Sequence, residues 1–166
     1  MKSKILIFFI LFSLGICKAQ NLQDSFKEIA KIKGFTLINP STFPLDLESK
    51  SFMVQAAAVT LDNALNKEEL EECYNILNTV PLQRMVIGAM NNNCFGLIYA
   101  DPSDDDEFNI LIVGNDQGTV AAVLCKGDSG VIDTFKSSEV IMKKDTLSVM
   151  LPSEKGENHN YIFDFK

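Results

Sequence analysis

The chain has 166 residues, with 15 basic and 22 acidic side chains, a formal charge of −7, 46% hydrophobic residues and one histidine. This acidic balance argues against nucleic acid or an anionic lipid surface as partner, because phosphates are held by clustered Lys and Arg. A lone His159 and cysteines without close spacing argue in the same way against a zinc centre, and no cofactor is expected.

The first residues, MKSKILIFFILFSLGICKAQ, set Lys2 and Lys4 before an apolar run from Ile5 to Leu11 that ends in Gly15, Cys17 and Lys18. The run is too short to span a bilayer and has the form of an export signal over residues 1–19, with cleavage after Ala19. Leu14-Gly15-Ile16-Cys17 offers a rival reading as a lipidation box in which Cys17 is acylated, although Ile16 is large for the residue before the cysteine. Membrane attachment is expected only in that case. Removing 19 residues leaves 147 of the 166, a length suited to one domain over 20–166. Removing the three leader lysines leaves 12 basic against 22 acidic residues, a formal charge of −10.

In DSFKEIAKIKG, residues 24–34, Phe26, Ile29, Ala30 and Lys33 fall on one helical stripe, with Asp24 or Ser25 as cap and Gly34 as the stop. FTLIN at 35–39 reads as a strand, and STFPLDLESKS, with Pro44, as a loop. SFMVQAAAVTLDNAL is open between helix and strand: its alanines favour one and its β-branched residues the other. LNKEELEECYNILNT is the clearest helix, with Asn66 and Glu69 as a capping box and Leu70, Cys73, Tyr74 and Leu77 at helical spacing.

From Pro81 the texture changes to strand-length apolar runs separated by turn signals. LQRMVIGAM, CFGLIYA, FNILIVG and TVAAVLCKG are separated by NNN, DPSDDDE and NDQG, and VIDTF, DTLSVML and YIFDF follow. Short links favour an antiparallel meander, since parallel strands need crossovers of a dozen or more residues. FNILIVG and TVAAVLC are apolar at nearly every position, so both of their faces must be covered. Helices would cover one face, and a curled sheet, a partner subunit or a bound apolar surface the other. The expected fold is α+β, with two or three helices packed on a twisted, mainly antiparallel meander sheet of about six strands.

Candidate chemistry is sparse. Gly127-Asp128-Ser129-Gly130 matches the core of the chymotrypsin-like nucleophile motif, but no histidine precedes Ser129. A serine, acid, histidine order from Ser129, Asp133 or Asp145, and His159 would need a helix after the serine, where the sequence reads as strand. The motif is therefore expected to be a hairpin turn, and no catalytic residue is assigned. The acidic run 101–107 supplies Asp101, Asp104, Asp106 and Glu107 as weak calcium candidates, with a solvated hairpin tip as the plainer reading. His159 lies in ENHNY, read as a polar turn, where acid-base work would need Glu157 or Asp164 beside it. Cys73, Cys94 and Cys125 could hold one bridge and one free thiol, but three buried thiols acting as small hydrophobes fit their number and spacing better.

The leader, SFKEIAKIKGFTLIN and EFNILIVGNDQG together resemble the small exported domains of unknown function common in gut Bacteroidota. The resemblance implies a periplasmic or cell-envelope location in a Gram-negative bacterium and an α+β sheet domain, with no catalytic residues to carry over. The expected function is a non-catalytic binding or protein-interaction module, with a protein partner or a homodimer engaged through an apolar sheet face. The alternative is a hydrolase or metal-dependent enzyme using His159 or the acidic loop 101–107.

Overall fold

The computed structural model describes residues 21–39, 52–60, 65–81, 85–91, 94–103, 106–136, 138–143, 145–152 and 158–165. The export signal with Cys17, the Pro44 loop, Asn92, Asn93 and Asp104 lie outside them. Among the described residues the order is α1 (Leu22–Ile29), β1 (Thr36–Ile38), β2 (Phe52–Val59), α2 (Lys67–Asn78), β3 (Met85–Asn91) and β4 (Cys94–Pro102). Then come β5 (Glu107–Asp116), β6 (Thr119–Asp128), α3 (Ser129–Phe135), β7 (Glu139–Lys143), β8 (Thr146–Pro152) and β9 (Asn158–Asp164). This is an α+β fold with all strands antiparallel, in a six-stranded sheet of order β1-β2-β6-β5-β4-β3 and a three-stranded sheet of order β7-β8-β9.

Strands β3 to β6 form the expected meander. The β5–β6 hairpin turns on Gln117 and Gly118, both at positive φ (53° and 90°), the geometry of a two-residue primed turn. Asn115 Oδ1 accepts the Gly118 N–H at 2.8 Å and fixes the turn. Along β5 and β6 successive apolar residues alternate between two cores. Leu111, Val113, Val120, Ala122 and Leu124 face α1 and α2 with Leu22, Phe26, Ile29, Cys73 and Leu77. Ile110, Ile112, Ala121, Val123 and Cys125 face the second sheet and α3 with Phe135, Val140, Met142, Leu147, Val149 and Phe163. The molecule thus stacks helices, large sheet and small sheet, and the doubly apolar strands are covered on both faces by their own chain.

Gly96 and Gly114 are register partners in the β4–β5 ladder, and Gly114 pairs with Ala121 on β6. This row of small residues lets β7 lie close against the large sheet. A Cβ at Gly96 would run into the Val140 side chain and stand 2.8 Å from its carbonyl oxygen, and one at Gly114 would meet Leu147 Cδ1 at 2.7 Å.

Several sequence expectations are corrected. Helix α1 is capped by Asn21, whose side chain accepts the Asp24 N–H at 2.8 Å, and not by Asp24 or Ser25. It ends at Ile29, and Gly34 lies beyond it at φ 101° in the approach to β1. The ambiguous 51–65 stretch contains strand β2, whose register shifts between Val54 and Ala56. Phe52 and Val54 face the small-sheet core, and after the bulge Ala57 and Val59 do so. The change of phase erases a clean period of two, which is why neither template fitted.

VIDTF is helix α3 and not a strand, because the Asp128 carboxylate accepts the Val131 N–H at 3.0 Å and Ile132 and Phe135 bury on one side. Its β-branched residues lower helix propensity, but tertiary burial overrides that preference. The segment EVIMK, not distinguished in the sequence, forms β7. Helix α2 is as expected: Asn66 Oδ1 accepts the Glu69 N–H at 2.9 Å and Glu69 Oε2 accepts the Asn66 N–H at 3.0 Å.

Candidate functional site

The GDSG motif sits at the β6–α3 junction and is not a hairpin turn. Gly127 and Asp128 end the strand, and exposed Ser129 and Gly130 begin the helix. Asp128 is engaged as a cap, and the Asp133 carboxylate accepts from Lys136 Nζ. His159 lies within β9, opposite Leu151 on β8, and not in a turn. Asp164 is five residues further along the same strand, roughly 17 Å away at about 3.4 Å per residue, so the strand holds the two apart. Glu157 lies outside the described residues.

In the acidic hairpin the Glu107 carboxylate accepts from Lys126 Nζ at 3.1 Å, Asp106 is exposed at φ 59°, and Asp101 is buried opposite Asn109. Among the described residues no group of three or more His, Cys, Asp or Glu side chains is placed to hold a metal ion. Asp101 instead belongs to a polar end of the helix-side layer, where Gln23 Nε2 of α1 donates to Asn109 Oδ1 at 3.1 Å. Positions 23, 101 and 109 carry no shared motif, so the sequence could not have grouped them. A second tie joins α2 to the β5–β6 hairpin, with Asn115 Nδ2 donating to the Tyr74 hydroxyl at 2.9 Å. Both ties hold helices to the sheet, which is a scaffolding role.

Cys73 and Cys125 are free and buried, in the cores on opposite faces of the large sheet. Burial, with Glu72 adding to it, pushes the Cys73 thiol up to about 12, and burial pushes Cys125 up as well. Burial first and Cys73 second also raise the Tyr99 hydroxyl. These are protonated, unreactive groups at neutral pH.

Apolar side chains also reach the surface: Leu37 on β1 and Met53 on β2 are exposed singly, and the outer face of the three-stranded sheet, which the sequence did not single out, groups several. Its inner residues Val140, Met142, Leu147, Val149 and Phe163 are in the core. Alternation turns Glu139, Ile141 and Lys143 of β7 outward, with Thr146, Ser148 and Met150 of β8 and Asn160, Ile162 and Asp164 of β9. Ile141, Ser148 and Ile162 are register partners and form the middle row, with Ile162 48% exposed. Ser148 Oγ donates to Asn160 Oδ1 at 2.6 Å, joining β8 to β9 on this face.

The fold and this surface define a class: a small α+β domain with a partly apolar sheet face open to solvent. Compared with protein-family models, curated proteins and solved structures, the chain finds no match in any of the three.

Proposed function

We propose that this protein is an exported cell-envelope or periplasmic interaction module without catalytic activity, and that it binds through the outer face of its three-stranded sheet. One observation carries the reading: two isoleucines, Ile141 and Ile162, and Met150 stand outward on a sheet whose other face is anchored in the core. Apolar side chains presented together on a rigid element favour association, because contact removes their surface from water without ordering a loop. The leader of residues 1–19 supports export. The central sheet has its apolar faces occupied by the chain itself, which moves the expected partner surface from that sheet to this smaller one.

A photo-crosslinking amino acid placed at Ile162 tests the reading in intact cells, with the same group at exposed Glu68 on α2 as control. Adducts at position 162 and none at 68 are expected, in the periplasmic or envelope fraction. Absence of any adduct at 162 overturns the assignment of the face, and recovery of the protein from the cytoplasmic fraction alone overturns the location.

A further inference from the structure

The partner of this face is identified by its own symmetry. Ile141 is the middle of β7, with exposed Glu139 two residues to one side and exposed Lys143 two residues to the other. The register places Met150 and Asn160 in the Glu139 row, and Thr146 and Asp164 in the Lys143 row. The face therefore has an isoleucine on each side of Ser148 in its middle row, one charge of each sign at opposite ends of β7, and a second acid, Asp164, at the Lys143 end.

We propose that a second copy of this chain docks face to face here, about a two-fold axis lying along the row Ile141, Ser148, Ile162. This rests on the reading of the face as a binding surface. The rotation sets Ile141 against Ile141 and Ile162 against Ile162 of the partner copy. It sets Lys143 against Glu139 at both ends, Thr146 against Met150, and Asp164 against Asn160. No like charges meet, as an isologous interface requires. Among the described residues neither Lys143 nor Glu139 forms an ion pair within the chain, so both are available. A two-fold along the strands would instead send Lys143 to Asp164, which already has an interaction within its own chain.

Sheets packed face to face cross at about 30°, which shifts charges roughly 7 Å from the axis by about 3.5 Å, within the reach of a lysine side chain. Three strands of five residues span roughly 14 Å by 17 Å. That footprint is well below the roughly 800 Å² per partner of a stable complex, so the dimer is weak and is populated only at high protein concentration.

Sedimentation velocity of the mature chain from 10 µM to 1 mM tests the proposal. Wild type is expected to shift toward dimer over this range, and Ile162→Asp to remain monomeric. Lys143→Glu alone and Glu139→Lys alone should each weaken association tenfold or more. An equimolar mixture of these two variants should recover it, because each then offers the charge the other lacks. A wild type that stays monomeric at 1 mM overturns the proposal, as does a mixture no stronger than its components. If no dimer forms but crosslinks at position 162 reach a different protein, the second-copy assignment fails and the interaction-module reading stands. If neither occurs, both fail.

Discussion

Replacing Gly96 by alanine probes the closest contact between the two sheets. The added Cβ would fall inside the Val140 side chain, 2.6 Å from its Cβ and 2.8 Å from its carbonyl oxygen. Carbon atoms prefer separations of roughly 3.5–4.0 Å, so strand β7 must retreat by about an ångström. The obstacle is partly backbone, and Val140 and Met142 are both held in the core, so no rotamer change relieves it. Overpacking of this kind costs about 1–3 kcal/mol. The loss of unfolded-chain freedom on going from glycine to alanine offsets about 0.4–1 kcal/mol. The net expectation is a loss of about 1–2 kcal/mol, a fall of roughly 3–6 °C in Tm for a domain of this length.

Gly114→Ala is the matched comparison. There the nearest atom is Leu147 Cδ1, the end of a flexible side chain, at 2.7 Å, followed by Met142 Cβ at 3.0 Å. The leucine can rotate, so a loss of about 1 kcal/mol or less is expected. Urea unfolding followed by circular dichroism gives both values, with unchanged m confirming that the same transition is compared. If Gly96→Ala is as stable as wild type, or if Gly114→Ala is the more damaging, the close approach of β7 to the glycine row is wrong.

Asn66→Ala removes the side-chain half of the capping box and should cost about 1 kcal/mol by urea unfolding, while Asn66→Ser should retain most of the stability. Asp128→Ala should destabilise by a similar amount through its lost hydrogen bond to Val131 N–H, whereas Ser129→Ala, at an exposed site, should stay within about 0.5 kcal/mol; the reverse order would restore a role for the serine. The folded state holds Cys73 protonated up to about 12, above the ordinary thiol value of 9.0, so this contribution is complete below pH 9 and is lost as pH rises. Its slope is about 1.4 kcal/mol per pH unit, and Cys73→Ala should flatten the unfolding profile between pH 9 and 11 by about that much. Calcium at millimolar concentration should move Tm by less than about 1 °C, since Glu107 is already paired with Lys126; a rise of several degrees would assign a cation to the acidic hairpin.

Elements with local signals were legible in the amino-acid order alone. The capping box of Asn66 and Glu69, the turn at Gln117-Gly118 and the apolar runs of β4, β5 and β6 depend on neighbours within a few residues, so their periods and turn chemistry are readable in one dimension. The same runs also imposed cover on both faces, because a strand apolar at every position has no side it can leave in water. What supplied the cover depended on how distant segments pack.

Helix α3 forms from β-branched residues because Ile132 and Phe135 find a core and Asp128 a backbone N–H to accept from, conditions that no local propensity encodes. Strand β7 is five residues long and is held by Gly96 and Gly114, which lie across a ladder from one another. The bulge in β2 changes phase in mid-strand and so hides its own period. His159 and Asp164 looked near in sequence, yet an extended strand holds residues at that spacing far apart. Gln23 and Asn109 are 86 residues apart and meet across a helix and a sheet. The outer face likewise depends on the register of three strands, which aligns Ile141 with Ser148 and Ile162. Local backbone preference and hydrophobic period are properties of the chain, but which surfaces meet, and which face remains to meet another molecule, are properties of the packed whole.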